Sequence, residues 1–219
     1  MRAVVTGATG LIGKELLRQL LSDDRFERIV VFARRSTGLI SSKLEEHLLV
    51  SFDDMRPYYH YMRGDVMFCA LGTTIKKAGS QENFRKADYG YVLNFALAAK
   101  AMEVKHFVLV SSIGANSNSK SFYLRVKAET ENAVINTGIE KITILRPSML
   151  LGKREEFRAG ERAGILFARV FAFWFTKSLR RFRPVRDAAV AGKMIQECFT
   201  ERTGVKIIES DEIQLYHLQ

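Results

Sequence analysis

The chain has 219 residues, enough for one α/β domain with a large core and too few for two full domains. Its hydrophobic content of 47% and its three prolines exclude a disordered chain. The net charge of +10 favours contact with a polyanion, such as a phosphorylated cofactor, a nucleic acid or an anionic membrane surface. No signature of a nucleic-acid-binding module accompanies that charge.

The two cysteines, Cys69 and Cys198, lie far apart and form no CxxC pair, which predicts a reducing compartment and disfavours a zinc site. The histidines show no metal-ligand spacing, so we expect no metal centre. Since the first strand is predicted to begin at residue 2, we expect no signal peptide and a cytoplasmic location.

Apolar strand-like runs alternate with helical patterns along nearly the whole chain. Strands are predicted at 2–6, 28–33, 48–52, 65–71, 104–111, 141–146 and 205–208, and helices at 11–21, 80–102, 119–137, 160–182 and 187–201. Residues 41–46 and 53–62 are predicted to be short, irregular crossovers. The alternation predicts a single α/β domain over residues 1–219 with a doubly wound, mainly parallel sheet.

The first predicted strand runs into a glycine-rich turn, Gly7, Gly10 and Gly13, that opens an apolar helix. The turn has one more residue between its first two glycines than the GxGxxG fingerprint. A helix N-terminus presents unpaired N–H groups and a partial positive charge, and small residues let a pyrophosphate approach them. This pattern therefore predicts a dinucleotide site.

The second predicted strand is followed by Arg34 and Arg35, about 20 residues beyond the glycine turn. An acidic residue at this place holds the ribose hydroxyls of NAD, whereas arginine accommodates the 2′-phosphate of NADP. Two arginines and no acid predict NADP(H) rather than NAD(H).

Residues 71–74 and the pair Ser111-Ser112 follow two further strands, at the end of the sheet where such folds bind ligands. Tyr123 and Lys127 are four residues apart and share a helix face. A nearby ammonium favours a phenolate and makes a tyrosine a usable acid or base, and a serine hydroxyl can polarise a carbonyl. Ser112, Tyr123 and Lys127 are the predicted catalytic residues.

These motifs, followed by Arg146-Pro147-Ser148, resemble in their order the short-chain dehydrogenases/reductases of the extended-to-atypical kind. Residues 69–74, 105–107 and 145–147 more narrowly resemble the Tat-interacting-protein-like subgroup. The similarity covers essentially the whole chain. It implies a Rossmann fold in which a small helical substrate region, at about 150–185, follows the sixth strand.

The resemblance also implies that Lys127 hydrogen-bonds the nicotinamide ribose as well as supporting Tyr123. The implied cofactor-binding residues are Gly7, Thr9, Gly10, Leu11, Ile12, Gly13, Arg34, Arg35, Phe52, Leu71, Gly72, Thr73, Thr74, Ser111, Tyr123, Lys127, Pro147, Ser148 and Met149. Relatives commonly carry an acid at the end of the third strand, which here is predicted to end at Phe52, with Asp53 and Asp54 following. Which serine of the pair is catalytic stays open; Ser112 is favoured because the second usually faces the substrate.

We therefore expect an NADP(H)-dependent oxidoreductase that transfers hydride to or from a carbonyl group. Residues 163–175 form an apolar run with one charge, too short to span a bilayer. The run fits a buried helix, an apolar substrate wall, a dimer face or a membrane-surface helix, and an apolar quinone- or enone-like substrate suits it. The alternatives are an NADP(H)-sensing binding protein without turnover, which contacts a protein or membrane through 163–183, and a sugar-nucleotide epimerase. The oligomeric state stays open.

Overall fold

The computed structural model describes residues 1–151 and 181–216, and seven parallel strands in these ranges form one sheet. The strands are β1 (Arg2–Thr6), β2 (Arg28–Ala33), β3 (Leu44–Leu48), β4 (Val66–Cys69), β5 (His106–Val110), β6 (Lys141–Arg146) and β9 (Gly204–Glu209). Their order across the sheet is β3-β2-β1-β4-β5-β6-β9. Two short strands, β7 (Leu150–Leu151) and β8 (Val185–Arg186), pair separately in parallel.

Helices connect the strands and cover both faces of the sheet. They are α1 (Leu11–Ser22), α2 (Ile75–Ala78), α3 (Gln81–Arg85), α4 (Tyr91–Ala101), α5 (Phe122–Ile135), α6 (Asp187–Gln196) and α7 (Ser210–Leu215). A π-helical turn, Lys86–Gly90, joins α3 to α4, and 3-10 turns span Arg56–Tyr61 and Glu197–Phe199. This is the doubly wound Rossmann-like fold that the sequence predicts.

The core has two layers because successive residues of a strand point to opposite faces. On one face, Val5 and Val31 pack with Leu16 of α1 and Met194 of α6. On the other face, Val4, Phe32 and Leu109 pack with Phe95 of α4 and Val134 of α5. α1 and α6 therefore cover one face of the sheet, and α4 and α5 cover the other.

The third strand is the element that sequence reasoning placed wrongly. It was expected at 48–52 with 41–46 as an irregular crossover, but β3 spans Leu44–Leu48. The expectation followed the apolar run of residues 48–50, whereas Val50 is 99% exposed. β3 is an edge strand, and edge strands carry charged residues such as Glu45 and Glu46.

Other expectations differ in detail. The predicted helix 80–102 is divided by the π-helical turn, and α2 and α7 were not foreseen. The predicted helix 160–182, and with it the apolar run 163–175, lies almost wholly outside the described residues. No helix in the described part of the chain is long and apolar enough to span a membrane.

Candidate functional site

The carboxyl end of the sheet gathers most of the predicted site residues. β1 and β4 are neighbours, with β2 and β3 on one side of β1 and with β5, β6 and β9 beyond β4. The chain therefore changes the direction in which it adds strands between β1 and β4. In an open α/β sheet such a reversal leaves a crevice at the carboxyl ends, and ligands bind there.

The glycine turn after β1 packs so closely that side chains do not fit. Gly7 has a φ of +79°, and a Cβ on it would lie 2.3 Å from the carbonyl carbon of Ala70. A Cβ on Gly13 would lie 2.0 Å from the Gly7 carbonyl oxygen. That oxygen accepts a hydrogen bond from the Gly10 N–H at 2.9 Å. The turn therefore holds α1 directly against the strand ends.

The N-terminus of α1 is suited to an anion. It has no side-chain cap and no acidic residue in its first turn, so its first N–H groups point towards the crevice without a carboxylate beside them. Thr9 and Leu11 are half-buried there, whereas the Ile12 side chain belongs to the core. Ile12 is thus placed to contribute its backbone only.

Arg34 and Arg35 directly follow β2, as the sequence predicts. Both side chains are exposed, and neither forms an ion pair or hydrogen bond with another residue in the described ranges. Both guanidinium groups are available to a phosphate beside the crevice.

A buried ion pair anchors α5 to the segment after β4. The Lys127 Nζ lies 2.7 Å from the Asp88 Oδ1, and the two side chains are 6% and 0% exposed. The other oxygen of Asp88 accepts a hydrogen bond from the Thr73 N–H at 2.8 Å. Burial alone lowers the pKa of Lys127, but the Asp88 carboxylate, with a smaller contribution from Tyr123, outweighs burial and the pKa is raised. Lys127 is therefore held as an ammonium.

Tyr123 lies one helical turn before Lys127, as the spacing predicts. The Lys127 Nζ is 5.9 Å from the centroid of the Tyr123 ring. The ring packs against Phe84 at a centroid distance of 5.4 Å and remains half-buried. The fixed ammonium therefore stands beside a phenol that ligands can reach.

Residues 71–74 approach the same ion pair. A Cβ on Gly72 would lie 3.8 Å from both Asp88 Oδ1 and Lys127 Nζ. Thr74 has a structural role, because its hydroxyl accepts a hydrogen bond from the Lys77 N–H at 3.1 Å and caps α2. Leu71 packs partly against the apolar layer below.

The two serines after β5 differ in accessibility. The Ser111 hydroxyl is buried and has no hydrogen-bond partner among the described residues. Ser112 is half-buried, and its hydroxyl is 3.4 Å from the Ile113 carbonyl oxygen, a weak contact. Ser112 is the more accessible of the two.

The segment after β6 lies beside these serines. The Ile113 N–H donates to the Pro147 carbonyl oxygen at 3.0 Å. The Ser148 hydroxyl donates to the carbonyl oxygen of Arg183, and Met149 is 40% exposed. Pro147 is buried, so Ser148 and Met149 form the reachable part of this border.

Phe52 does not end a strand, contrary to expectation, because β3 stops at Leu48. Its side chain is 2% exposed and packs on Tyr91 in the core, with ring centroids 5.7 Å apart. Asp53, which follows it, forms an ion pair with Lys86 at 2.9 Å.

Sequence reasoning missed Asp88. Within a predicted helix, an aspartate is ordinarily a solvated surface residue, and no motif marked this one. The π-helical turn Lys86–Gly90 is the local irregularity that contains it, and such turns occur often at functional sites.

A family profile described as NAD(P)H-binding matches residues 7–164. Protein FMP52-1, mitochondrial, of Scheffersomyces stipitis is 39% identical over 163 residues, which cover 71% of this chain and 70% of that protein. Protein HTATIP2 of Rattus norvegicus is 38% identical over 160 residues, which cover 72% of this chain and 66% of that protein.

Among solved structures, UDP-glucose 4-epimerase from Thermotoga maritima with UDP-glucose has a TM-score of 0.70 and 18% identity, covering 100% of this chain and 81% of that one. WbmH of Bordetella bronchiseptica in complex with NAD+ has a TM-score of 0.70 and 16% identity, covering 95% and 75%. At these identities the likeness shows the fold alone.

The comparison overturns one expectation. A cytoplasmic location was expected, but the similar proteins of Scheffersomyces stipitis, Candida albicans and Debaryomyces hansenii are all named as mitochondrial. The expectation had rested on the position of the first strand, which does not by itself determine the compartment of a protein.

Proposed function

Because this chain belongs to the NAD(P)H-binding family, as an atypical short-chain dehydrogenase/reductase similar to HTATIP2, we propose that it is an NADP(H)-dependent oxidoreductase. Its reaction is the transfer of a hydride to or from a carbonyl group. The observation that carries the proposal is the ammonium of Lys127, held by Asp88 beside the accessible phenol of Tyr123.

Tyr123 is the proton donor and acceptor in this mechanism. When a carbonyl is reduced, the phenol gives its proton to the carbonyl oxygen, and the nicotinamide of the bound cofactor supplies the hydride. The ammonium of Lys127 then faces the phenolate that remains and stabilises its charge. Asp88 keeps Lys127 charged and in place, and the accessible Ser112 hydroxyl donates a hydrogen bond to the carbonyl oxygen.

The cofactor has three proposed contacts along the crevice. The N-terminus of α1 would hold its pyrophosphate, Arg34 and Arg35 would hold its 2′-phosphate, and Gly72 and Met149 would border its nicotinamide. The support for NADP(H) over NAD(H) is the pair of exposed guanidinium groups, which have no partner among residues 1–151 and 181–216, and the absence of an acid directly after β2.

The substrate proposed for this site is a small carbonyl compound with an apolar body, such as a quinone or an enone. Met149 at the border of the crevice supports that choice. A panel of quinones, enones and polar aldehydes, assayed with NADPH, distinguishes these classes. Turnover confined to polar aldehydes would contradict the apolar substrate and leave the hydride chemistry intact.

The test of the mechanism is Tyr123→Phe, which removes only the phenolic hydroxyl. We expect turnover with NADPH to fall at least about 100-fold, the usual contribution of a general acid, while NADPH affinity stays within about twofold. The control is Tyr89→Phe, because Tyr89 is half-buried on the π-helical turn and its ring lies beside the Arg85 guanidinium. If Tyr123→Phe turns over every carbonyl that the parent protein reduces at an unchanged rate, the proposed mechanism is wrong.

A further inference from the structure

We infer that Glu46 on β3 is a positioning residue that holds the turn presenting Arg34 and Arg35 to the 2′-phosphate. The inference rests on the NADP(H) binding proposed above. A carboxylate on the edge strand would thereby contribute to the selectivity for NADP(H) over NAD(H).

The chain turns back on itself directly after β2. Glu46 pairs in register with Val31, which lies two residues before β2 ends. Thr37, four residues after that end, donates its backbone N–H to Glu46 at 3.0 Å. The backbone has therefore turned back towards β3 by Thr37, and Arg34 and Arg35 lie in the turn between β2 and Thr37.

The Glu46 carboxylate holds the returning limb of this turn by three hydrogen bonds. It accepts from the Ser36 hydroxyl at 2.7 Å, from the Thr37 N–H and from the Thr37 hydroxyl. The Ser36 hydroxyl in turn accepts from the Gly38 N–H at 3.1 Å. Burial raises the pKa of Glu46, but the hydrogen bonds from Thr37 and Ser36 outweigh burial and the pKa is lowered. The carboxylate is thus ionised and its bonds are charge-assisted.

These bonds affect the two arginines in two ways. A turn that is already shaped spares the ordering cost that a loose loop would incur when it closes on a phosphate. The Glu46 carboxylate accepts its hydrogen bonds from Ser36 and Thr37 and forms no ion pair with Arg34 or Arg35. Both effects increase the affinity for a cofactor that carries a 2′-phosphate and leave the affinity for a cofactor without it unchanged.

The experiment is calorimetric titration of the full chain with NADP+ and with NAD+. For Glu46→Ala we expect NADP+ affinity to fall about tenfold, which corresponds to about 1.4 kcal/mol, while NAD+ affinity stays within about twofold. Glu46→Gln keeps one acceptor oxygen for Thr37 but loses the charge. Its NADP+ affinity should therefore lie between that of the parent chain and that of Glu46→Ala. If the alanine variant does not fold, the glutamine variant decides by the same criterion.

The matched control is Glu45→Ala. Glu45 is the neighbouring carboxylate on the same strand, where it binds Arg28 and His47 on the opposite face. Its loss disturbs β3 without touching the turn, so the ratio of NADP+ to NAD+ affinity should stay unchanged.

Each other outcome overturns a defined statement. If the parent chain prefers NADP+ and Glu46→Ala keeps or increases that preference, the role inferred for Glu46 is wrong, and the proposed cofactor stands. An equal loss of affinity for both cofactors shows a general structural role and also overturns it. A parent chain without preference overturns the proposed cofactor itself. Because only binding is measured, the result does not depend on whether the chain turns over a carbonyl.

Discussion

Buried and partly buried charged side chains of this protein pair with residues from other elements of the fold. Lys127 on α5 meets Asp88, and Arg146 meets Glu131 of α5 at 2.5 Å and Glu209 of β9 at 3.0 Å. Removing one member of the Lys127–Asp88 pair leaves a buried charge without compensation, which typically costs about 3–5 kcal/mol. These residues therefore combine stability with the placement of α5.

His106, the first residue of β5, is a buried titratable group away from the cofactor edge. Its Nε2 lies 2.9 Å from the Thr143 hydroxyl. Burial, and then the positive charges of Lys141 and Arg202, lower its pKa from 6.5 to about 3. Between these two values the unfolded chain binds the proton and the native state does not. The stability contribution is therefore complete above pH 6.5 and decreases as the pH falls towards 3.

We predict that this histidine makes the free energy of unfolding fall by up to about 1.4 kcal/mol for each pH unit below its ordinary pKa. His106→Gln keeps a polar partner for Thr143 but cannot be protonated, so the variant should lose this part of the pH dependence. Urea denaturation at pH 7 and at pH 5 measures the difference between the two proteins. The exposed His60, changed to glutamine, is the control. An identical decline in the parent and in His106→Gln would contradict the prediction.

The turn between β1 and α1 shows how an element depends on backbone contact. Gly13 meets the Gly7 carbonyl oxygen, which is backbone and cannot move aside, so a methyl group would push α1 away from the sheet. Gly10 lies in an extended conformation with a φ of −82°, and a Cβ there would lie 3.2 Å from the same oxygen, a tight contact that a shift of a few tenths of an ångström relieves. The two glycines therefore serve different purposes: one permits helix packing, and the other leaves room at the crevice.

We predict that Gly13→Ala lowers the free energy of unfolding by more than about 3 kcal/mol, the cost of forcing atoms into a packed region. Gly10→Ala should change it by less than about 1 kcal/mol, as at most exposed positions. Urea denaturation without cofactor measures both. Equal losses in the two variants would show that the turn can relax in a way the geometry does not suggest.

The two faces of the edge strand β3 each hold another part of the fold. His47 stacks on Phe32 at a centroid distance of 5.1 Å and ties one face of the strand to the core. On the other face Glu46 holds the turn after β2. An edge strand with polar residues on both sides thus resists pairing with other chains and shapes the site at the same time.

At the scale of the whole molecule, the net charge of +10 and the crevice at the strand ends act together on a polyanionic cofactor. The glycine turn and the arginines come from separate strands, and the tyrosine–lysine pair comes from a helix. A cofactor that binds the folded chain stabilises the folded state by mass action.

We predict that NADP+ at about 100 times its Kd stabilises the chain by about 2.7 kcal/mol, which raises the Tm by about 5–10 °C for a chain of this length. NAD+ at the same concentration should give a smaller rise. Added salt should reduce the NADP+ effect more, since screening weakens the extra phosphate contacts. Differential scanning fluorimetry at low and high salt measures this. Equal shifts for both cofactors would contradict the proposed selectivity.

The sequence by itself determined the features that depend on neighbours in the chain. The bounds of β1, β2 and β6 agree with their predictions, because buried parallel strands are short apolar runs that end sharply. The glycine turn, the arginines after β2 and the pairing of Tyr123 with Lys127 on one helix face follow from residues within a few positions of each other.

Only the tertiary structure decided which distant residues meet. Asp88 reaches Lys127 across 39 positions, and Glu46 reaches Ser36 from another strand. The edge strand β3 was misplaced because its residues are polar and its neighbour Val50 is apolar yet exposed. The burial of a residue and its pairing with a distant side chain arise when the sheet is assembled, and a local sequence pattern does not predict them. The charges that hold Lys127 and the turn after β2 are therefore visible in the folded chain alone.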